Sequence, residues 1–222
     1  MSTIFTGKYW SIQNFVSGFS NNAYLITCNR TNNSVVIDTP ANPLELIEAR
    51  AKTNPTFILI THGHQDHLEG FEAVNIDDDP NVGIGEDDRS SLPTAAKFGI
   101  DVSTNQQLNA GDISLKAMAT PGHTPGSTCY LLETPESLAA GERSHVFTGD
   151  TLFPGGPGKS SSNDALKQII SSLETHIFTL SDSTVVLPGH GEFTTINKSK
   201  AEFAVFKSKP FDTTMSGDVT WA

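Results

Sequence analysis

The sequence predicts an α/β fold, of the α+β type, in which two sheets are covered by helices. Strand-like segments alternate with amphipathic helical segments along all 222 residues, and no repeat, low-complexity tract or linker divides the chain. A chain of this length can bury a substantial core. With 18 glycines and 12 prolines, it is expected to be rich in loops rather than a helical bundle. We therefore expect a single domain over residues 1–222.

The first half of the chain is predicted to contain a hairpin, two helices and two further strands. Apolar segments 22–26 and 34–38 flank a polar turn, which is typical of a hairpin. Asn42 is expected to cap a helix over residues 43–52, which starts on a proline and turns Leu44, Ile47 and Ala51 inward. The following segments are a strand over 57–61, a short helix over 67–74, an acidic loop over 75–80 and a short strand over 81–84.

The second half is predicted to contain four strands and two longer helices. Runs of apolar residues predict strands over 113–119, 128–132, 145–148 and 184–187. Asn163 is the expected cap of a helix over 164–173, whose inward face carries Leu166, Ile169, Ile170 and Leu173. A helical turn is expected over 94–98, and a last helix over 199–207 would bury Phe203 and Phe206.

The composition argues against several classes of function. A net charge of −11 disfavours binding to DNA or RNA phosphates, and bound divalent cations would offset part of it. The N-terminus has neither a basic segment nor a continuous apolar one, and no stretch approaches membrane-spanning length. We therefore expect a cytoplasmic monomer or homodimer with a small-molecule substrate and no nucleic-acid or membrane partner. Cys28 and Cys129 are expected to be reduced thiols, with a disulfide as the alternative.

The segment Thr61–His67 places three histidines and an aspartate directly after an apolar strand. His62 and His64 are two residues apart, so their side chains point the same way in extended backbone. That geometry suits one metal ion held by two imidazoles. Asp66 and His67 follow where the chain can turn, and they can direct a second pair of ligands at a neighbouring ion. The segment therefore indicates a site for two metal ions that are used in hydrolysis.

Three further ligand candidates also lie where a predicted strand gives way to a loop. They are His123, Asp150 and His190, and each stands beside glycine or a Pro-Gly pair. Such small residues let the backbone bend and remove steric cover from a metal ion. Of the seven histidines, only His145 and His176 lie outside these loops, and they are interpreted as ordinary surface or strand-end residues.

Taken together, four segments resemble the motifs of the metallo-β-lactamase superfamily, a broad family of two-metal hydrolases. They are THGHQDH (61–67), TPGHTPGS (120–127), FTGDTLF (147–153) and LPGHG (187–191). Among the branches of this superfamily, they resemble the glyoxalase II-like thioesterases most. The segment 36–39 also resembles the family's early strand, which ends in a buried aspartate. The resemblance implies a four-layer αββα sandwich of two mixed sheets with the metals at one edge.

The same resemblance implies a ligand set that two ions share. The first ion would be held by His62, His64 and His123, the second by Asp66, His67 and His190, and Asp150 would bridge them. Imidazole and carboxylate ligands suit Zn(II), with Fe(II) or Mn(II) as alternatives. Two ions about 3.5–4 Å apart can share a water and lower its pKa toward neutrality, which creates a hydroxide nucleophile. The expected reaction is hydrolysis of a small-molecule ester or thioester, with Asp66 and His190 as catalytic ligands and Asp66 orienting the hydroxide.

Three residues outside the ligand set are expected to assist it. Asp38 is a candidate acceptor for a hydrogen bond that orients a ligating histidine, or else a cap on the turn that follows it. Lys159 is a candidate for binding an anionic group, because glyoxalase II-like enzymes have a lysine or arginine at this place. Phe153, which follows the bridging aspartate, is a candidate substrate contact.

The chain also departs from the glyoxalase II pattern, which puts recognition of glutathione in doubt. The serines 160–162 stand where that branch has a tyrosine, and Glu192 stands where it has an aromatic residue. The segment after His190 is too short for the helical extension that binds glutathione in that branch.

Three alternatives are left open. A persulfide dioxygenase would share the fold but would use one non-haem iron, held by two histidines and the bridging aspartate, and it would not need His67 and His190. A lactonase for acyl-homoserine lactones would use the same ligands and a tyrosine near the bridging aspartate, where this chain has Phe153. A non-enzymatic metal-binding module would keep the ligands without a substrate pocket, although structural zinc sites usually close with four protein ligands.

Overall fold

The computed structural model describes residues 1–75, 81–93, 102–210 and 212–221. A first sheet of six strands forms in the order of the sequence. Its strands are β1 (Ser2–Thr6), β2 (Trp10–Ser17), β3 (Asn21–Cys28), β4 (Asn33–Ile37), β5 (Asn54–Leu59) and β6 (Asn81–Gly83). Strands β1 to β4 pair antiparallel, whereas β4, β5 and β6 pair parallel. The first sheet is therefore mixed.

The second sheet also has six strands, and the chain crosses over within it. The strands of this half are β7 (Gln107–Ala110), β8 (Ile113–Ala119), β9 (Thr128–Leu132), β10 (His145–Gly149), the small hairpin β11 (Leu152–Phe153) and β12 (Gly156–Pro157), β13 (Val185–Pro188) and β14 (Thr194–Thr195). The order in the sheet is β14-β13-β10-β9-β8-β7. The β10–β13 pair is parallel and the other pairs of this sheet are antiparallel.

Five α-helices lie between these strands in the part of the chain that the structure describes. They are α1 (Leu44–Arg50), α2 (Phe71–Val74), α3 (Pro135–Ala139), α4 (Asn163–Ser172) and α5 (Ile196–Lys207). Short 3₁₀ turns cover Gln65–His67 and Glu86–Ser91, and a π-helical turn, Leu173–Ile177, follows α4. Among the described residues, no helix has the length and apolar character needed to cross a membrane.

Three clusters of buried apolar side chains show how these elements are layered. The first lies between the sheets, with Trp10 and Tyr24 from one sheet and Tyr130 and Phe147 from the other. The second covers the outer face of the first sheet with α1 and α2, and the third covers the second sheet with α4 and α5. Side chains alternate between the two faces of a strand, so β3 directs Tyr24 to the first cluster and Leu25 to the second. The predicted αββα sandwich of two mixed sheets is confirmed.

Most strands predicted from apolar patterns are confirmed as well. The hairpin corresponds to β3 and β4, and the strands predicted over 113–119 and 128–132 match β8 and β9 residue for residue. The other predicted strands are β5, β6, β10 and β13, with ends shifted by one to three residues. The helical turn predicted over 94–98 and the acidic loop beyond residue 75 lie outside the described residues.

The cap predicted for the first helix is wrong, and of its predicted inward face only Ile47 packs against the first sheet. Asn42 has a left-handed φ of 55°, so the helix boundary falls on Pro43, which accepts no side-chain cap hydrogen bond. The helix buries Leu46 and Ala49, whereas Leu44 is 66% exposed. A helix this short depends on the surface against which it packs, so its own apolar pattern does not decide which side is buried.

The structure differs from the sequence prediction at four other places. Helix α4 is capped by the hydroxyl of Ser162, which accepts a hydrogen bond from the amide of Ala165, and not by Asn163. The helix predicted over 67–74 is a 3₁₀ turn followed by the short α2. The last helix begins at Ile196, three residues earlier than predicted. The sequence pattern also missed α3 and six strands, which are β1, β2, β7, β11, β12 and β14. Strand β1 is largely exposed and therefore lacks the apolar run of a buried strand.

Candidate metal centre

Five strands end at one edge of the sandwich, and each leads into a residue of the predicted site. In the first sheet, the parallel neighbours β4 and β5 lead into Asp38 and into the segment Thr61–His67. In the second sheet, the parallel neighbours β10 and β13 lead into Asp150 and His190, and β8, which runs in the same direction, leads into His123. The carboxyl ends of such strands meet at the same edge of a sheet, so residues far apart in sequence become neighbours.

Three imidazoles form what we call the first cluster, composed of His62, His64 and His123. Nδ1 of His64 lies 3.1 Å from Nε2 of His62 and 2.9 Å from Nε2 of His123. The three nitrogen atoms therefore converge on one point. His62 is buried, whereas His64 is exposed.

A second cluster is composed of Asp66, His67 and His190. Nε2 of His67 lies 3.1 Å from Nε2 of His190. Oδ2 of Asp66 lies 3.3 Å from Nε2 of His190 and 3.8 Å from Nε2 of His67. The ligand atoms of each cluster lie within 4.8 Å of one another, a spacing that a single metal ion can span.

Asp150 lies between the two clusters. Its Oδ1 is 3.5 Å from Nε2 of His67, and its Oδ2 is 3.6 Å from Nε2 of His123 and 3.5 Å from Nε2 of His190. Oδ1 is buried and has no hydrogen-bond partner among the described residues. An unpaired buried carboxylate oxygen costs free energy unless a cation or donor reaches it. The position of Asp150 therefore fits a carboxylate that bridges two metal ions.

Asp38 orients two of the histidines, His67 directly and His62 through Thr61. Its buried carboxylate accepts a hydrogen bond from Nδ1 of His67 at 3.0 Å, and it also accepts the amide and the hydroxyl of Thr61 at 2.7 and 2.8 Å. The Thr61 oxygen lies 3.1 Å from Nδ1 of His62. Both imidazoles are thereby held with Nε2 directed at the clusters. The hydrogen bond with His67 is the geometry that the orienting role considered from the sequence requires.

Two backbone carbonyls do the same for the histidines of the second sheet. Nδ1 of His123 donates to the carbonyl of Lys159 at 2.8 Å, and Nδ1 of His190 donates to the carbonyl of Phe19 at 3.2 Å. The side chain of Lys159 is exposed. The contact of this residue with His123 is therefore made by its main chain and does not depend on what the side chain binds. Outer partners of this kind fix the tautomer and direction of a ligating imidazole.

The start of β3 holds the second cluster in place. The side-chain amide of Asn21 donates to Oδ2 of Asp66 at 2.9 Å and to the backbone carbonyl of the same residue at 3.2 Å. Asn22 donates to the carbonyls of Pro188 and Gly191, on both sides of His190. Two adjacent asparagines therefore connect the first sheet to the loop that carries the last ligand.

Burial and neighbouring charges set the protonation of the imidazoles. Burial lowers the pKa of His62 well below its usual value, and the neighbouring His67 adds to the effect. Burial by itself would also lower the pKa of His67, but the carboxylates of Asp38 and Asp150 raise it to about 9. The hydrogen bond with Asp150 raises the pKa of His190. A cation that bound in the second cluster would therefore compete with a proton for His67.

Two glycines show why small residues stand beside the ligands. Gly122 adopts a φ of 137°, and a Cβ there would lie 2.5 Å from the amide nitrogen of Ile169 in α4. A Cβ on Gly189 would contact Oδ1 of Asp150 and would lie 2.7 Å from Cε1 of His67. Gly189 therefore keeps free the space in which a cation would meet both side chains.

The structure brings together the seven ligands predicted from the sequence, and it places Phe153 beside them, with its ring centroid 6.3 Å from the ring of His190. Sequence reasoning missed Phe19, Asn21 and Asp88, although all three contact the site or its loops. A backbone carbonyl carries no sequence signal, and neither an asparagine at the start of a strand nor an aspartate in a short acidic turn is distinguished by its sequence from others of its kind.

The chain is an αββα sandwich with clusters of nitrogen and oxygen ligands at one edge. This combination of fold and site is that of a metallohydrolase. The chain belongs to the metallo-beta-lactamase superfamily, whose family model matches residues 16–190. This fold binds metal ions, and the two clusters fit such a site.

The chain is also similar to individual members of the superfamily. It is 34% identical over 192 residues to the probable hydroxyacylglutathione hydrolase glo2 of Schizosaccharomyces pombe, covering 83% of this chain and 68% of that protein. It is 30% identical over 213 residues to the hydroxyacylglutathione hydrolase GloC of Haemophilus influenzae, covering 87% and 96%. The crystal structure of ETHE1 from Myxococcus xanthus matches with a TM-score of 0.69 at 28% identity, covering 85% and 81%. The predicted resemblance to glyoxalase II-like members is confirmed.

Replacement of His123 by alanine is expected to weaken binding of one metal ion by at least about 100-fold and to lower turnover, because loss of a ligand costs more than the 10–100-fold typical of its outer partners. Metal content after dialysis and competition with a chromophoric chelator would measure this effect. The matched control is His176→Ala, since His176 lies outside both clusters. A His123→Ala protein that keeps two ions per chain would contradict the ligand assignment.

Proposed function

We propose that this chain hydrolyses a small-molecule thioester or ester by means of two divalent cations, one in each cluster. The observation that carries this proposal is the position of Asp150, whose two oxygen atoms lie about equally far from His67, His123 and His190. The donor set contains imidazole and carboxylate without thiolate, which suits Zn(II), with Fe(II) or Mn(II) as alternatives.

When bound, two such cations supply an activated water and a Lewis acid for a substrate carbonyl. The chain itself holds the ligands in the required direction through Asp38 and the two backbone carbonyls. Asp66 and His190 are the most open members of the second cluster, with 41% and 23% of their side chains exposed. This openness supports their assignment as the ligands nearest the substrate, and the hydrogen bond from Asn21 to Oδ2 of Asp66 holds that carboxylate in the second cluster.

Aromatic and basic side chains around the opening indicate the kind of substrate. Phe19 is 91% exposed, although its carbonyl is bonded to His190, and Phe153 is half-buried beside the same histidine. Lys159 is exposed next to His123. The two rings would pack against the acyl part of a substrate, and the ammonium group would pair with a carboxylate.

A hydroxyacylglutathione combines an acyl part, a thioester and carboxylates, and two relatives carry this activity in their names. It is therefore the first substrate that we propose. Of the serines 160–162 that stand where glyoxalase II has a tyrosine, Ser160 is buried and pairs with Gly217. Recognition of the glutathione part would therefore rest on Lys159 and backbone groups.

The proposal is tested by assaying the protein, loaded with Zn(II), Mn(II) or Fe(II), against three thioester and ester classes. A hydroxyacylglutathione is compared with the same hydroxyacyl group on a simple thiol and with an uncharged lactone. We expect chelator-sensitive thioester hydrolysis that returns when metal is added back. A preference for the glutathione thioester that disappears in Lys159→Ala would identify the anion contact, and Lys167→Ala, on the exposed side of α4, is the control.

Turnover that survives complete removal of metal would contradict the proposal. Absence of turnover on every class, in protein that holds two ions per chain, would favour a metal-binding module without enzymatic activity.

A persulfide dioxygenase is the second candidate, because the similarity to ETHE1 fits it. The complete second cluster, with Asp66, His67 and His190 in contact distance, favours hydrolysis. Metal analysis of protein purified without added metal distinguishes the two. One iron per chain together with oxygen uptake on glutathione persulfide would replace hydrolysis as the assigned activity.

A further inference from the structure

The side chain of Asp88 connects the two loops that carry the first cluster. It lies in the 3₁₀ turn Glu86–Ser91, which follows β6 at the same edge of the first sheet as the metal centre. The residue is 6% exposed, whereas its neighbours Glu86 and Asp87 are exposed. A buried carboxylate is stable only when its oxygen atoms are well bonded, so its partners show what it holds.

Three hydrogen bonds to this carboxylate come from the loops that carry ligands. Oδ2 accepts the backbone amide of Gly63 at 2.7 Å and the hydroxyl of Thr124 at 2.6 Å. Oδ1 accepts the backbone amide of Gly126 at 3.0 Å. Gly63 stands between His62 and His64, and Thr124 follows His123 directly. One carboxylate therefore bonds to the neighbours of all three ligands in the first cluster.

The packing around Asp88 leaves little freedom in these bonds. A Cβ on Gly126 would lie 2.5 Å from the amide nitrogen of Asp88, and a Cβ on Gly63 would lie 3.1 Å from the Asp88 Cβ. The hydroxyl of Ser127 also bonds to Thr124, at 2.7 Å, which orients the threonine toward the carboxylate. The loops that contain Gly63 and Gly126 both pack closely against Asp88, so Asp88 helps to fix the distance between these loops.

The second cluster is held by different residues. Asn21 bonds to Asp66, Asp38 bonds to His67, and the Phe19 carbonyl bonds to His190. None of the three hydrogen bonds of Asp88 described above reaches these ligands. Asp38 also reaches the first cluster through Thr61 and His62, whereas the hydrogen bonds of Asp88 described above serve the loops of the first cluster alone.

We propose that Asp88 is a positioning residue for the first cluster, which sets the approach of His123 to His62 and His64 and thereby the metal affinity of that cluster alone. This inference rests on the proposed binding of one ion in each cluster, and it does not depend on which substrate is cleaved.

The experiment compares Asp88→Ala in two backgrounds, each of which leaves one cluster complete. In His190→Ala the remaining ion occupies the first cluster, and in His123→Ala it occupies the second. Zn(II) affinity is measured by competition with a chromophoric chelator. We expect Asp88→Ala to weaken Zn(II) binding about 10–100-fold in the His190→Ala background and to change it less than about twofold in the His123→Ala background.

Asp88→Asn keeps the volume and one acceptor oxygen, so it should weaken Zn(II) binding less than Asp88→Ala, and it serves if the alanine variant does not fold. Asp87→Ala is the matched control, since it removes the same charge one residue away on the exposed side. Equal weakening in both backgrounds, or a lower melting temperature with unchanged Zn(II) affinity, would show that Asp88 only stabilises the loops. If neither His190→Ala nor His123→Ala binds Zn(II) while Asp88 is intact, the assignment of one ion to each cluster would instead be contradicted.

Discussion

Replacement of Asp150 by alanine is expected to lower the metal content of both clusters and to reduce turnover by more than about 10³-fold. Its Oδ2 lies within 3.6 Å of an imidazole from each cluster, His123 and His190, and its Oδ1 lies 3.5 Å from His67. The loss of a shared ligand removes charge from two cation sites at once. A loss of about 4 kcal/mol in transition-state stabilisation corresponds to this factor of 10³.

Two measurements check this result. Metal content per chain should fall below that of His123→Ala, because the shared ligand serves both ions and His123 serves one. Asp150→Asn should retain more metal than Asp150→Ala, since the amide keeps one ligating oxygen without the charge. Asp164→Ala is the surface control, as the Asp164 side chain is 91% exposed. Full metal content and near-normal turnover in Asp150→Ala would rule out a bridging role.

Replacement of Asp38 by alanine is expected to lower the free energy of unfolding of the metal-free protein by about 3–5 kcal/mol. The substitution leaves three buried donors without their acceptor, namely the amide and hydroxyl of Thr61 and Nδ1 of His67. Each unsatisfied donor costs about 1–3 kcal/mol. Asp38 also has a left-handed φ of 58°, which aspartate and asparagine tolerate better than alanine.

Denaturant unfolding of metal-free Asp38→Ala and Asp38→Asn measures this effect. The asparagine variant should be less destabilised, because it keeps one acceptor oxygen and suits the left-handed backbone. Asp182→Ala, which loses only a surface contact with Lys200, should change stability little. Metal binding should weaken mainly in the second cluster, whose His67 loses its orienting acceptor. An unchanged free energy of unfolding in Asp38→Ala would mean that water replaces the carboxylate and that the site is more open than the structure shows.

Several parts of the fold could be predicted because they depend on local sequence. The strands β8 and β9 are buried runs with clear ends, so their limits follow from the residues themselves. The buried face of α1 could not be predicted in this way, because the sheet beneath it decides which side is covered. Strand β1 lies at the sheet edge with mostly exposed residues, and only its pairing with β2 makes it a strand.

In the candidate site, too, the features that depend on local sequence could be predicted and those that depend on tertiary contacts could not. Its ligands could be predicted because imidazoles and carboxylates follow apolar strands and stand beside glycines that make room for a metal ion. The groups that orient those ligands could not. Every residue type has the same backbone carbonyl, so the sequence does not single out those of Phe19 and Lys159. Asp88 is one of three consecutive acidic residues, and only the structure shows that it is the buried one.

The sequence by itself determined the chemistry of the centre, that is, the kind and number of the ligands and the strands that precede them. The resemblance of its motifs further implied which ligands share a cluster and that Asp150 lies between them, and the structure brings these residues together in that arrangement. The tertiary structure alone decided which distant groups hold each imidazole in place. The physical reason is that ligand type is a property of a side chain. Ligand direction is a property of contacts between segments that only folding brings together, such as Asp88 with Gly63 and Thr124.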